Sequence, residues 1–172
     1  LQSRGLGDVY KRQHLDEFVT GKGRKIIGWD EILEGGLAPN AAVMSWRGEN
    51  GGIAAAGMGH KVVMAPNNYM YIDYYQSEDY TNEPLNIGGL VTLEHIYSYE
   101  PYTPKLTKEQ CGYIMGVQAN VWGEFIHHPD KVNYMAYPRA MALSEIGWSP
   151  AEKKNYADFR ERLAGCLAEL DR

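Results

Sequence analysis

Four short stretches of the chain end in the same kind of chemistry. "KIIGWDE" closes on Trp29, Asp30 and Glu31, and "AAVMSWRG" on Trp46 and Arg47. "NNYMYIDYY" supplies Tyr69, Tyr71 and Asp73, and "YIMGVQANVWGE" ends on Trp122 and Glu124. An indole or phenol offers a flat apolar face with a polar edge. A carboxylate accepts hydrogen bonds, and a buried one is costly to leave unmet, about 1–3 kcal/mol. Together these groups suit a sugar, whose C–H faces pack on indole while its hydroxyls donate to Asp73 and Glu124. Alternate strand residues face the same way, so a strand continuing to Glu124 would aim Trp122 and Glu124 at one site. Each residue also has a plainer reading. The tryptophans could be core lids, Asp30 and Glu31 caps of the following "EILEGG" turn, Arg47 an ion-pair partner and Tyr71 a core residue.

Other chemistries fit less well. His127 and His128 are adjacent and diverge on any regular element; Asp130 could join one of them, but a third zinc ligand is then missing. Neither His60 nor His95 stands beside a nucleophile with an orienting partner. Ser45 lacks the G-x-S-x-G setting, and "EGGLAPN" is not a phosphate-binding glycine fingerprint. The residues call for no cofactor and no metal.

The elements that must position these residues are strands followed by helices. Four apolar runs, Lys25–Glu31, Ala41–Gly48, His60–Asn67 and Tyr113–Glu124, read as strands buried on both faces. Between them lie helical patterns: "DVYKRQHLDEFVT" with Val9, Leu15 and Phe18 on one face, "NGGIAAAGMG", and "TLEHIYSY" with Thr92 as its cap. "DKVNYMAYPRAMALSEIGW" should break or kink near Pro138. "NYADFRERLAGCLAEL" repeats Tyr156, Phe159, Leu163, Cys166, Leu167 and Leu170 at helical spacing. Residues 74–90 are mostly polar and long enough to be a functional rim. The pattern predicts an α/β fold with about four parallel strands.

The chain has 172 residues, of which 44% are apolar, enough to bury a core. A net charge of −5 without a basic stripe argues against a nucleic-acid partner. No apolar run reaches membrane-spanning length, so no membrane span is expected. The two cysteines, Cys111 and Cys166, form no ligand motif and read as buried thiols rather than a disulfide.

The blocks "GRKIIGWDEILEGG", "AAVMSWRG", "HKVVMAPNNYMYIDYY", "GVQANVWGEFI" and "YPRAMALSEIGWS" together resemble the family-20 β-N-acetylhexosaminidases, over roughly Gly23 to Leu163. The resemblance implies the C-terminal half of a (β/α)8 TIM barrel. It divides the chain into an atypical N-terminal segment and helix, 1–22, and the hexosaminidase-like part, 23–172. "GLGDVYKRQ" does not read as family sequence and suggests a junction.

The activity implied is release of terminal β-linked N-acetylhexosamine with retention. The substrate's own acetamide oxygen attacks the anomeric carbon, unlike the two-carboxylate scheme of most retaining glycosidases. Trp29, Trp46 and Trp122 would box the acetamide and ring, and Tyr71 would hold the acetamide oxygen. Asp73 and Glu124 would bind the outer hydroxyls, chiefly at positions 4 and 6. The family's catalytic Asp-Glu pair falls before Gly23. Asp30-Glu31 belongs to a later block, and Asp16-Glu17 lies in a helical pattern.

The general acid is therefore expected outside this chain, which by itself should be inactive. A non-catalytic carbohydrate-binding domain is the alternative, and a retaining pair made of Glu31 and Glu124 is another. The implied partners are N-acetylhexosamine-containing glycans and the missing half barrel. Open sheet edges would also allow self-association, which a single-chain mass by light scattering would exclude. For the full-length family member, periplasmic, extracellular and lysosome-like compartments all stay open.

Overall fold

The computed structural model describes residues 2–170, and side chains from 9 to 168. Two units are distinguished: one runs to Met64 and includes Tyr102–Gly116, the other holds Ala65–Pro101 and the chain from Val117 on.

The first unit carries the sheet. After α1 (Gln2–Gly21) come β1 (Ile27–Trp29), β2 (Ala42–Ser45), α2 (Asn50–Gly57) and β3 (Val62–Met64); the later segment adds α5 (Lys108–Cys111) and β4 (Ile114–Val117). The strand order is β1-β2-β3-β4. Ile27 pairs with Ala42 and Val43 with Val62 in parallel register, and the Val62 N–H donates to the Tyr113 carbonyl. The expected α/β fold with four parallel strands and helices is therefore present.

The strands are shorter than expected, and only one face is fully covered. Val43, Ser45, Val62 and Met64 are completely buried. Ile27, Trp29, Ala42, Met44 and Val63, which share the other face by register, are exposed or half-buried. The expectation of burial on both faces is corrected accordingly. The reason lies in α2: its small residues lie against the buried face so closely that a Cβ on Gly52 would sit 2.6 Å from the Met64 sulfur. Ser45 joins the two elements, donating to the Gly48 carbonyl at 2.7 Å and accepting from the Gly52 N–H at 2.8 Å. The hydroxyl is structural, not nucleophilic. On α1 the apolar face also fails: Leu15 is 44% exposed and Phe18 62%.

The second unit contains α3 (Asn67–Met70), α4 (Leu93–Tyr97), α6 (Pro129–Ala136), α7 (Arg139–Trp148) and α8 (Tyr156–Leu170). Thr92 caps α4 by accepting from the His95 N–H at 3.1 Å. The helical pattern around Pro138 is indeed two helices, because proline has no N–H to continue the ladder. On α8 Phe159 and Leu163 are buried, whereas Cys166 is exposed; the side chain of Leu170 lies outside the described residues. Both cysteines are free thiols, Cys111 half-buried, so neither is the buried thiol expected.

Arg139, at the start of α7, is the largest fully buried side chain of the described residues. Its Nη1 donates to the carbonyls of Tyr74 and Val91, both at 2.9 Å. Its Nη2 donates to those of Ile72 and Met135, at 2.5 and 2.7 Å. One guanidinium thus gathers three separate segments. Burial lowers its pKa to about 10, so it stays charged at neutral pH. Arg139→Met should cost about 3–5 kcal/mol by leaving buried carbonyls unmet. Arg139→Lys should recover only part of this, since one ammonium cannot span four carbonyls. Urea denaturation would check both, and a loss below about 0.5 kcal/mol for Arg139→Met would contradict the assignment.

Candidate functional site

In the first unit Asp30 does not cap the turn that follows it. It is buried and bridges the ends of β1 and β2. Oδ2 accepts from the Trp46 and Arg47 N–H groups, both at 3.0 Å, and Oδ1 from Arg47 Nε at 2.6 Å. Arg47 also reaches Glu34 at 2.8 Å, and these hydrogen bonds raise its pKa further. Arg47 is therefore an ion-pair residue, the plainer of its two readings. Glu31 accepts the indole N–H of Trp46 at 3.0 Å. Both carboxylates of the Asp30-Glu31 pair are thus engaged in fixing Trp46, by its main chain and by its ring edge. Trp29 is half-buried on the less covered face of the sheet.

In the second unit an isolated parallel bridge joins Tyr71 to Asn120. The Asn120 N–H donates to the Met70 carbonyl at 2.8 Å, and the Ile72 N–H to the Asn120 carbonyl at 2.9 Å. This places Tyr71 near Trp122, with ring centroids 6.1 Å apart and planes at 59°. Tyr71 is buried, which agrees with a core residue, yet its ring borders the exposed indole. β4 ends at Val117, so strand alternation does not carry Trp122 and Glu124 to one site as expected. The bridge at Asn120 and the turn after it do this instead.

Trp122, Glu124 and Asp73 line one narrow cleft with Asn86, Ile87, Phe125 and Ile126; its open volume is about 10 Å³. That is room for one water or hydroxyl. The segment 74–90 thus lines the cleft, as its length suggested. Lys131 holds two of the walls. Its ammonium, almost wholly buried, donates to the carbonyls of Leu85 and Phe125 at 2.5 and 2.7 Å, next in sequence to Asn86 and Glu124. Tyr69 is turned to stack on His95, with centroids 4.4 Å apart. His127, His128 and Asp130 are exposed, and among the described residues no group of three or more His, Cys, Asp or Glu could hold a metal.

Asp73 is buried, and its Oδ1 has no hydrogen-bond partner. Burial raises its pKa to about 6, helped by the Glu124 charge; backbone N–H groups and Arg139 pull the other way. An unmet acceptor in a cleft of hydroxyl size is a site for a hydroxyl donor. Asn86, Lys131 and Arg139 were not picked out from the sequence. Arg139 left a signal, a lone cation among apolar helical residues, whereas Asn86 left none.

The chain matches the catalytic domain of glycosyl hydrolase family 20 over residues 6–151. It is 45% identical to a beta-hexosaminidase of Porphyromonas gingivalis over 99% of its length, covering 23% of that protein. It is 32% identical to a beta-N-acetylhexosaminidase of Cellulomonas fimi over 85% of its length, covering 30% of that protein. The solved family-20 exo beta-N-acetylglucosaminidase from Vibrio harveyi, in complex with N-acetylglucosamine, superposes with a TM-score of 0.81 at 28% identity. The overlap takes in 92% of this chain and 25% of that one. The chain thus spans between a fifth and a third of the relatives it matches.

Because Asp73 binds its proton more tightly when folded, its contribution to stability is complete at low pH. That contribution is lost as pH rises from about 4 to about 6. The stability difference between the wild type and Asp73→Asn should therefore shift against the wild type across that window. Urea midpoints at pH 4, 5, 6 and 7 would show this, and a difference independent of pH would contradict it.

Proposed function

Since the chain belongs to glycosyl hydrolase family 20, we propose that it forms part of a β-N-acetylhexosaminidase and supplies substrate-binding residues rather than the general acid. The observation that carries this reading is Asp73, with its unmet carboxylate oxygen, in one cleft with Trp122 and Glu124. Asp73 and Glu124 accept from the outer hydroxyls of a terminal N-acetylhexosamine, and the indole of Trp122 packs on its ring. Tyr71 holds the acetamide oxygen for attack on the anomeric carbon, a positioning role whose value is a pre-aligned reacting geometry. Trp29 and Trp46 keep the ring-packing role that the family resemblance implies. The engagement of Asp30 and Glu31 with Trp46 and Arg47 supports a structural rather than catalytic role for that pair. The comparisons favour no purely carbohydrate-binding reading, since the relatives named are hydrolases.

Two measurements test this. The chain should bind N-acetylglucosamine with a change in tryptophan fluorescence, and Glu124→Gln should weaken binding about tenfold or more, the loss of a charged acceptor. The chain alone should release no nitrophenolate from 4-nitrophenyl N-acetyl-β-D-glucosaminide. Release that disappears in Glu124→Gln would show that an acid is present in this chain. A folded chain whose fluorescence ignores the sugar would overturn the binding role.

A further inference from the structure

Beside the carboxylates of Asp73 and Glu124, the cleft is lined by Asn86, whose amide can donate as well as accept. The residue is buried, only 6% exposed, and its amide Nδ2 has no hydrogen-bond partner. Asp73, whose Oδ1 is likewise unmet, lines the same cleft. A buried donor and a buried acceptor left unmet in one small cleft cost about 1–3 kcal/mol each unless something fills them. A hydroxyl satisfies both, because it donates once and accepts twice. The open volume, about 10 Å³, matches one such group.

The position of Asn86 is not that of a loose loop residue. Its N–H donates to the Tyr75 hydroxyl at 3.3 Å, and the preceding carbonyl, that of Leu85, is held by Lys131. Nearby, Tyr134 donates to Glu83 at 2.9 Å, and Gln76 donates to the Tyr134 carbonyl at 2.6 Å. The loop is therefore tied to α6 at Gln76, Glu83 and Leu85, the last of them directly before the residue that it delivers. A packing role alone would be better served by an apolar side chain, since a buried amide without a partner destabilises the fold.

We propose that Asn86 is a specificity-determining residue that donates its amide N–H to the same sugar hydroxyl that donates to Asp73. This rests on the reading of the cleft as a sugar site and adds the residue that recognises one hydroxyl by both of its hydrogen-bonding functions. A site that both donates to and accepts from a hydroxyl rejects the deoxy sugar strongly, because the analogue leaves two buried groups unmet.

The test uses the chain itself with N-acetylglucosamine and its 4-deoxy and 6-deoxy analogues. Affinities come from tryptophan fluorescence, and the side-chain amide of Asn86 is followed by ¹⁵N–¹H spectroscopy. N-acetylglucosamine should shift the Asn86 side-chain resonances. Asn86→Ala should weaken its binding about fivefold or more. Against one of the two deoxy analogues the same variant should bind as the wild type does, because the hydroxyl that Asn86 serves is gone. Asn86→Asp, which keeps the shape but lacks the donor, should show the same selective loss and guards against a packing effect of the alanine. Undiminished binding by both variants would overturn the proposal while leaving the sugar site standing, as would an equal loss against all three sugars. A folded wild-type chain that binds none of them would overturn the sugar site and this proposal together.

Discussion

The second unit depends on a single cation. Arg139 satisfies carbonyls on both sides of Asp73, those of Ile72 and Tyr74, and ties them to Val91 and to its neighbouring helix through Met135. An arginine is needed because its planar fork reaches several acceptors in fixed directions without losing its charge. The carboxylate of Asp73 thereby sits on a main chain held on either side. The same positive charge partly offsets the burial that pushes the Asp73 proton affinity upward. Arg139 thus bears on both the position and the electrostatics of the cleft acceptor.

A comparable economy operates at the rim. Lys131 uses one ammonium to hold the carbonyls of Leu85 and Phe125, so the loop bearing Asn86 and the turn bearing Glu124 are fixed by one group. In the first unit the cross-link is anionic: Asp30 collects the Trp46 and Arg47 main-chain groups, and Glu31 takes the Trp46 ring edge. In all three cases an ionised side chain is used to hold loop backbone or a ring at the end of an element. Charge-assisted hydrogen bonds are the stronger kind, and loops have few ladder bonds of their own.

Much of this was legible in the sequence where local physics decides. Short β-branched and apolar runs marked all four strands, Thr92 marked the start of α4, and Pro138 marked a helix break. The candidate residues Asp73, Trp122 and Glu124 were singled out by residue type and position, and the structure brings them to one cleft. What failed needed tertiary information. Strand ends were read too long because Trp29, Trp46 and Trp122 favour strands as residues, whereas here they follow or end them. The faces of β1, β2 and β3 were read as equally buried because an apolar run does not say how many layers cover it. Asn86 was invisible because nothing in "NEPLNIGG" distinguishes a buried amide from a solvated turn.

The sheet closes through connections of unequal span. Ile27 meets Ala42 and Val43 meets Val62 after short excursions, but Val62 meets Tyr113 only after a much longer one. Loop-closure entropy grows only with the logarithm of length, so the longer excursion costs about 1 kcal/mol more than the shortest. Thermodynamically, that crossover is a cheap place for added residues, and it carries Tyr71, Asp73 and the rim loop with Asn86. A lineage of such chains could lengthen or reshape this excursion, and with it the choice of ligand, while leaving the strand pairing on either side untouched.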